Sequence, residues 1–96
     1  MRDDPGSDPL VGELREEITA NDRQIVRAVN RRLELVRRLK AHKAAQGYDF
    51  VDESREAALL DELARANPGP LSAAGLRELH AALLGLTKRE LADEEG

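Results

Sequence analysis

A chain of 96 residues with no cysteine, no Trp, one Phe and one Tyr is the size of a single domain, and its core must be built from Leu, Val, Ile and Ala. The missing cysteines exclude disulfides and thiolate metal sites and suit a reducing, cytoplasmic setting. A net charge of −4 argues against a general nucleic-acid binder, and no apolar run approaches the ~20 residues of a membrane span.

The chain opens on "MRDDPGSDP", acidic and rich in Pro and Gly with no apolar segment, so it does not read as a signal peptide. Residues 1–8 are expected to be a disordered lead-in, 9–92 a single helical domain, and 93–96 a frayed tail. The first helix is predicted from about Asp8 to Gln46. Its apolar residues Leu14, Ile18, Ile25, Val29, Val36 and Leu39 recur at steps of three, four or seven, the stripe of an amphipathic helix. "QGYDF" breaks the pattern, with Gly47 as the stop. A second helix is predicted from near Asp52 to about Ala66, where "NPGP" ends it. A third starts at Ser72, a good N-cap, with Leu71 and Leu76 at the positions of a hydrophobic staple. Its stripe is Leu76, Leu79 or His80, Leu83, Leu86 or Thr87, and Leu91. No repeat and no strand-like alternation is present.

The first helix is the informative one. Nearly forty helical residues span roughly 55–60 Å, whereas a compact domain of this size has a radius of gyration of about 13 Å. Two short helices cannot cover such a rod, so its stripe calls for a second copy of the chain. An interlocked homodimer is the simplest solution. A long coiled coil fits less well, because Arg32 and Lys43 stand where apolar residues belong: Ile25, Val29, Arg32, Val36, Leu39 and Lys43 follow at spacings of 4, 3, 4, 3 and 4.

Charge is also uneven. Arg23 to Lys43 holds eight Lys or Arg against one acid, Glu34, so this segment is +7 and the rest −11. Such a block asks for an anionic partner or for acidic surface elsewhere in the fold. Burying an unpaired cation costs several kcal/mol (roughly) unless something compensates it. Arg32 and Lys43 therefore either snorkel to the edge on packed stems or face an internal anionic site. Two on one seam favour the site. Arg27, Arg31, Arg37, Arg38 and Lys40 fall on the flanks and read as solvated surface.

Arg15, beside Leu14, reads on the residues alone as a surface group paired with Glu16, Glu17 or Asp22. In an antiparallel or interlocked dimer it would approach the partner. In "FVDESREAALL", Asp52, Arg55 and Glu56 lie at i, i+3 and i+4 and share one helix face. Capping by Asp52 plus a surface ion network explains them, and Phe50 and Val51 would anchor that helix start. Thr87 is expected to back-bond to a carbonyl one turn earlier. His42 and His80 have no second ligand at metal spacing, so no metal is assigned. There is no Gly-rich phosphate loop.

Taken in order, "LREEI" at 14–18, Asp22, Arg32, Lys43 and "VDESRE" at 51–56 resemble the all-helical AroQ class of chorismate mutases. The resemblance covers about residues 10–91. Each motif is weak alone, but their order and intervals are specific. It implies an intertwined homodimer of three helices per chain with two equivalent sites. It implies an isomerase that rearranges chorismate to prephenate in phenylalanine and tyrosine biosynthesis, with no cofactor. Carried over by position, Arg15 reaches into the partner's site. Arg32, Lys43, Asp52, Arg55 and Glu56 come from the other chain, and Thr87 falls where a Ser is common.

The residue types suit that chemistry. The arginines can clamp a dicarboxylate. Lys43 is the candidate for the negative charge growing on the breaking ether oxygen, and Glu56, helped by Asp52, for the ring hydroxyl. One departure stands out: the family commonly has Gln or Glu one turn after Thr87, and here that residue is Leu91. Some short members of the class depend on activation by the synthase that opens the pathway, and Leu91 keeps that partner in view. The alternatives are an isochorismate–pyruvate lyase on the same fold, against which the intact "DESRE" speaks, and a non-catalytic helical dimerisation module.

Overall fold

A computed structural model describes residues 7–49 and 52–92. The anchors Phe50 and Val51, the tail 93–96 and most of the lead-in lie outside the described residues. Three α-helices follow one another: α1, Pro9–Gln46; α2, Glu53–Ala66; and α3, Ala73–Ala92. No strand occurs among the described residues, so the all-α architecture with one very long first helix is as expected. The chain divides into two compact units, Met1–Glu34 and Leu35–Gly96.

The first unit holds the start of α1. Asp8 caps it: its carboxylate accepts from the Leu10 amide at 2.9 Å and its carbonyl from that of Gly12 at 3.1 Å. Pro9 follows as the first helical residue, where its missing N–H removes a donor that would have no partner. The predicted stripe forms, yet its residues stay open: Leu14 is 48% exposed, Ile18 59% and Ile25 52%. No described residue of α1 is buried.

The second unit holds the last turns of α1, then α2 and α3. Gly47 ends α1 at φ +75°. The Tyr48 amide donates to the Lys43 carbonyl at 2.8 Å, and the Gly47 amide to Ala44 at 3.2 Å. This paired closure needs a left-handed residue, which glycine adopts without strain, and it locks the turn that carries Lys43. Asp52 caps α2, accepting from the Arg55 amide at 3.1 Å.

After α2, Asn67 stitches the "NPGP" loop together. Its Nδ2 donates to the Leu71 carbonyl at 2.9 Å, and its Oδ1 accepts from the Gly69 amide at 3.0 Å. Ser72 caps α3 through its hydroxyl, which accepts from the Gly75 amide at 3.0 Å. A Cβ on Gly75 would stand 2.8 Å from Leu71 Cδ1, so glycine lets Leu71 fold over this cap. The core lies here: α3 packs on α2 and buries Leu76, His80, Thr87 and Leu91. The stripe thus resolves to His80 rather than Leu79, which is 50% exposed, and to Thr87 rather than Leu86.

Candidate active site

The candidate residues divide between the two units. Arg15 and Arg32 belong to the first. Arg15 is exposed and lines an open hollow of about 500 Å³ with Glu16, Thr19 and Arg23. The surface pairing of Arg15 with Glu16, Glu17 or Asp22 is not formed among the described residues. Its carbonyl instead receives the Thr19 hydroxyl at 3.0 Å. Arg32 is half-buried, unlike its neighbour Arg31, which is exposed and pairs with Glu34 at 3.5 Å. That pair is 62% and 60% exposed, and such surface pairs contribute at most about 1 kcal/mol.

Lys43, Asp52, Arg55, Glu56 and Thr87 belong to the second unit. Lys43 is half-buried in the last turn of α1. Glu56 is half-buried and Arg55 exposed in the first turn of α2. Among the described residues no ion pair forms at Arg55 or Glu56, so the surface ion network weighed for this stretch is not seen there, while the capping role of Asp52 is. A half-buried carboxylate with no ion pair among the described residues is a group able to accept a hydrogen bond from an incoming hydroxyl. Thr87 is 7% exposed, and its hydroxyl donates to the Leu83 carbonyl at 2.7 Å, the back-bond expected of it.

Lys40 corrects the reading that it is solvated surface. It is half-buried, and its Nζ donates to the Leu91 carbonyl at 3.1 Å. The last carbonyls of a helix have no partner within it, and a cation there also meets the negative end of the helix dipole. Lys40 therefore closes the C-terminal end of α3. Leu91 itself is 2% exposed and belongs to the core, whereas Glu90 is exposed. The position one turn past Thr87 fills space rather than presenting a polar group.

His80 is the other residue whose role local spacing did not reveal. It is 7% exposed, and its Nε2 is buried with no hydrogen-bond partner among the described residues. Leaving a buried polar atom unsatisfied costs about 1–3 kcal/mol. Leu76, His80, Leu83, Thr87 and Leu91 step by four, three, four and four, which puts His80 in line with Thr87, but Leu79 fits the same stripe, so the sequence carried no signal that chose between them.

Comparison with known proteins adds one finding. The family model of chorismate mutase type II matches residues 14–90, a span that takes in all seven candidate residues. No curated protein and no solved structure matches the chain.

Proposed function

From a chain that belongs to the chorismate mutase type II family, we propose an enzyme that rearranges chorismate to prephenate, a step toward phenylalanine and tyrosine, in the cytoplasm. The observation that carries the proposal is the pair of half-buried cations, Arg32 and Lys43, on the otherwise apolar face of α1. Taking positive charge partly out of water is costly, and two such cations at apolar register positions of one helix suit a dianionic ligand.

The reaction is a Claisen rearrangement. Within one molecule a C–O bond breaks as a C–C bond forms, so no nucleophile or general base is consumed. Rate comes from holding the enolpyruvyl arm over the ring and from stabilising charge on the ether oxygen as it departs. Arg15, Arg32 and Arg55 clamp the two carboxylates. Lys43 donates to the ether oxygen, from a turn whose backbone is locked at Gly47. Glu56 accepts from the ring hydroxyl, with Asp52 holding the start of α2 in place.

The site is shared between two copies. The apolar stripe of α1, open in the single chain, is the surface that a second copy covers, and Arg15 is the residue it lends across. Charge favours an antiparallel arrangement. The early part of α1 and its cap carry Asp8, Glu13, Glu16, Glu17 and Asp22, while the part from Arg23 onward is basic. Antiparallel pairing sets unlike charges against each other, and parallel pairing sets like against like.

The test is direct. Purified protein consumes chorismate and yields prephenate, alone or with the synthase that opens the pathway. No turnover in either condition sinks the proposal. Release of pyruvate and salicylate from isochorismate reassigns the chain to the lyases.

A further inference from the structure

The apolar stripe of α1 has two steps of seven, Ile18 to Ile25 and Val29 to Val36. Arg32 fills the second, and Asp22 fills the first. A carboxylate thus stands at an apolar register position, as the half-buried Arg32 does. The residues one turn away on either side of Asp22 are Ile18, Thr19, Ile25 and Val26, none of them a cation. Asp22 is exposed, and no ion pair forms at it among the described residues.

A second copy that covers the stripe takes Asp22 out of water as well, and a carboxylate so placed needs a cation. From Ile18 to Val36 the spacings are 4, 3, 4, 3 and 4, the same read in either direction. An antiparallel copy centred between Ile25 and Val29 therefore sets Ile18 against Val36, Ile25 against Val29, and Asp22 against Arg32, acid against base on both sides of the axis. Helix axes about 8–10 Å apart leave facing side chains within reach of each other. The same centre puts Arg15 against Leu39, one turn from Lys43. Setting Asp22 against Lys43 instead brings Arg32 beside its own copy, and parallel pairing sets Asp22 on Asp22. Like charges meet in both.

We propose that Asp22 of one copy pairs with Arg32 of the other and aims its guanidinium into the site. The guanidinium has five N–H donors. A bidentate carboxylate takes two of them and leaves the rest for a carboxylate of the substrate. Each copy then lends two residues across, Arg15 for the substrate and Asp22 for Arg32. The inference rests on the chorismate mutase reading above and adds a positioning residue to it.

The chain has no cysteine, so introduced ones report on the register alone. Asp22→Cys with Arg32→Cys in one chain should give a covalent dimer on mild oxidation, seen by non-reducing electrophoresis. The two positions lie about 15 Å apart along one helix, beyond the reach of a disulfide within the chain. Neither single variant should crosslink. A covalent dimer from Arg32→Cys alone, one from Asp22→Cys alone, or none from the double variant overturns the proposal.

Asp22→Asn, which keeps the size and removes the charge, tests the aiming. It should raise the dimer dissociation constant and the KM for chorismate each about 10-fold or more, the range of a hydrogen bond to a charged group. With the protein held dimeric, kcat should stay within about twofold. In an Arg32→Ala background, Asp22→Asn should leave dimer dissociation unchanged. A wild-type KM, or an equal effect on dissociation with and without Arg32, overturns the assignment. Turnover in the wild type without the crosslink between positions 22 and 32 overturns this inference and leaves the mutase reading standing. The crosslink without turnover keeps the pairing and overturns the mutase reading, and the aiming role with it.

Discussion

The early part of α1 and the α2–α3 hairpin use similar amounts of Leu, Ile and Val in opposite ways. In the hairpin, Leu76 and Leu91 are 6% and 2% exposed. On α1, Leu14, Ile18 and Ile25 are about half exposed, on a helix with no buried residue. Apolar surface contributes to stability only when it leaves water, at ~25 cal/mol per Å². The hairpin therefore stabilises itself within one chain, whereas the stripe of α1 becomes stabilising when something else covers it. The lesson is functional: the half that lacks a partner within the chain is the half that carries Arg15 and Arg32.

The largest expected effect tests that division. Arg15→Ala should bring activity to background, and so should Arg32→Ala. Mixed and allowed to exchange, the two proteins should recover about a quarter of wild-type activity, since half of randomly paired dimers are hybrids with one intact site of two. Steady-state turnover of the mixture checks this. No recovery breaks the comparison, because both residues would then serve one chain.

Next comes Lys43→Ala, expected to lower kcat about 10²–10³-fold, the effect of removing a donor to a developing oxyanion, with little change in melting. A loss confined to KM would mean that Lys43 only binds ground-state charge. Lys40→Met is the control beside it on the same helix. It should leave kcat near wild type but lower stability by about 1–3 kcal/mol, because the Leu91 carbonyl loses its donor.

The two apolar regions then separate in denaturant. Leu76→Ala should cost about 2–5 kcal/mol. Ile25→Ala should cost less, by an amount tied to how much of its half-open surface a second copy covers. Ile25→Asp should shift the species in sedimentation toward monomer and make melting less dependent on protein concentration. If Ile25→Asp melts like the wild type and sediments unchanged, the stripe is not an interface.

Much of this was readable before any coordinates. The stop at Gly47, the caps at Asp52 and Ser72, and the back-bond of Thr87 depend on local spacing, and local spacing is written in the chain. What escaped depends on contacts between helices. A period of 3.6 does not choose between Leu79 and His80, adjacent residues about 100° apart; packing of α3 on α2 chose. Lys40 resembles any flank lysine, since its acceptor at Leu91 is 51 residues away. For the candidate site, the positions of Lys43, Asp52 and Glu56 on their helices followed from the sequence. That Glu56 stands half-buried did not, because burial is set by neighbours distant in the chain.

The smallest expected effect is the most discriminating about one residue. Asp52 caps α2, and it is also proposed to support Glu56 in the site. Two substitutions separate these roles. Asp52→Ala removes both and should cost about 1 kcal/mol of stability, the usual worth of a cap. Asp52→Asn keeps the cap, since asparagine serves that position about as well as aspartate, but removes the charge. A purely structural Asp52 predicts an Asn variant with wild-type melting and wild-type kcat/KM. A functional one predicts wild-type melting with reduced kcat/KM, because Glu56 then works without the neighbouring charge that helps to orient it. Melting and kinetics on the same two proteins decide the point, since a loss from unfolding appears in both readouts and a loss from the site in one.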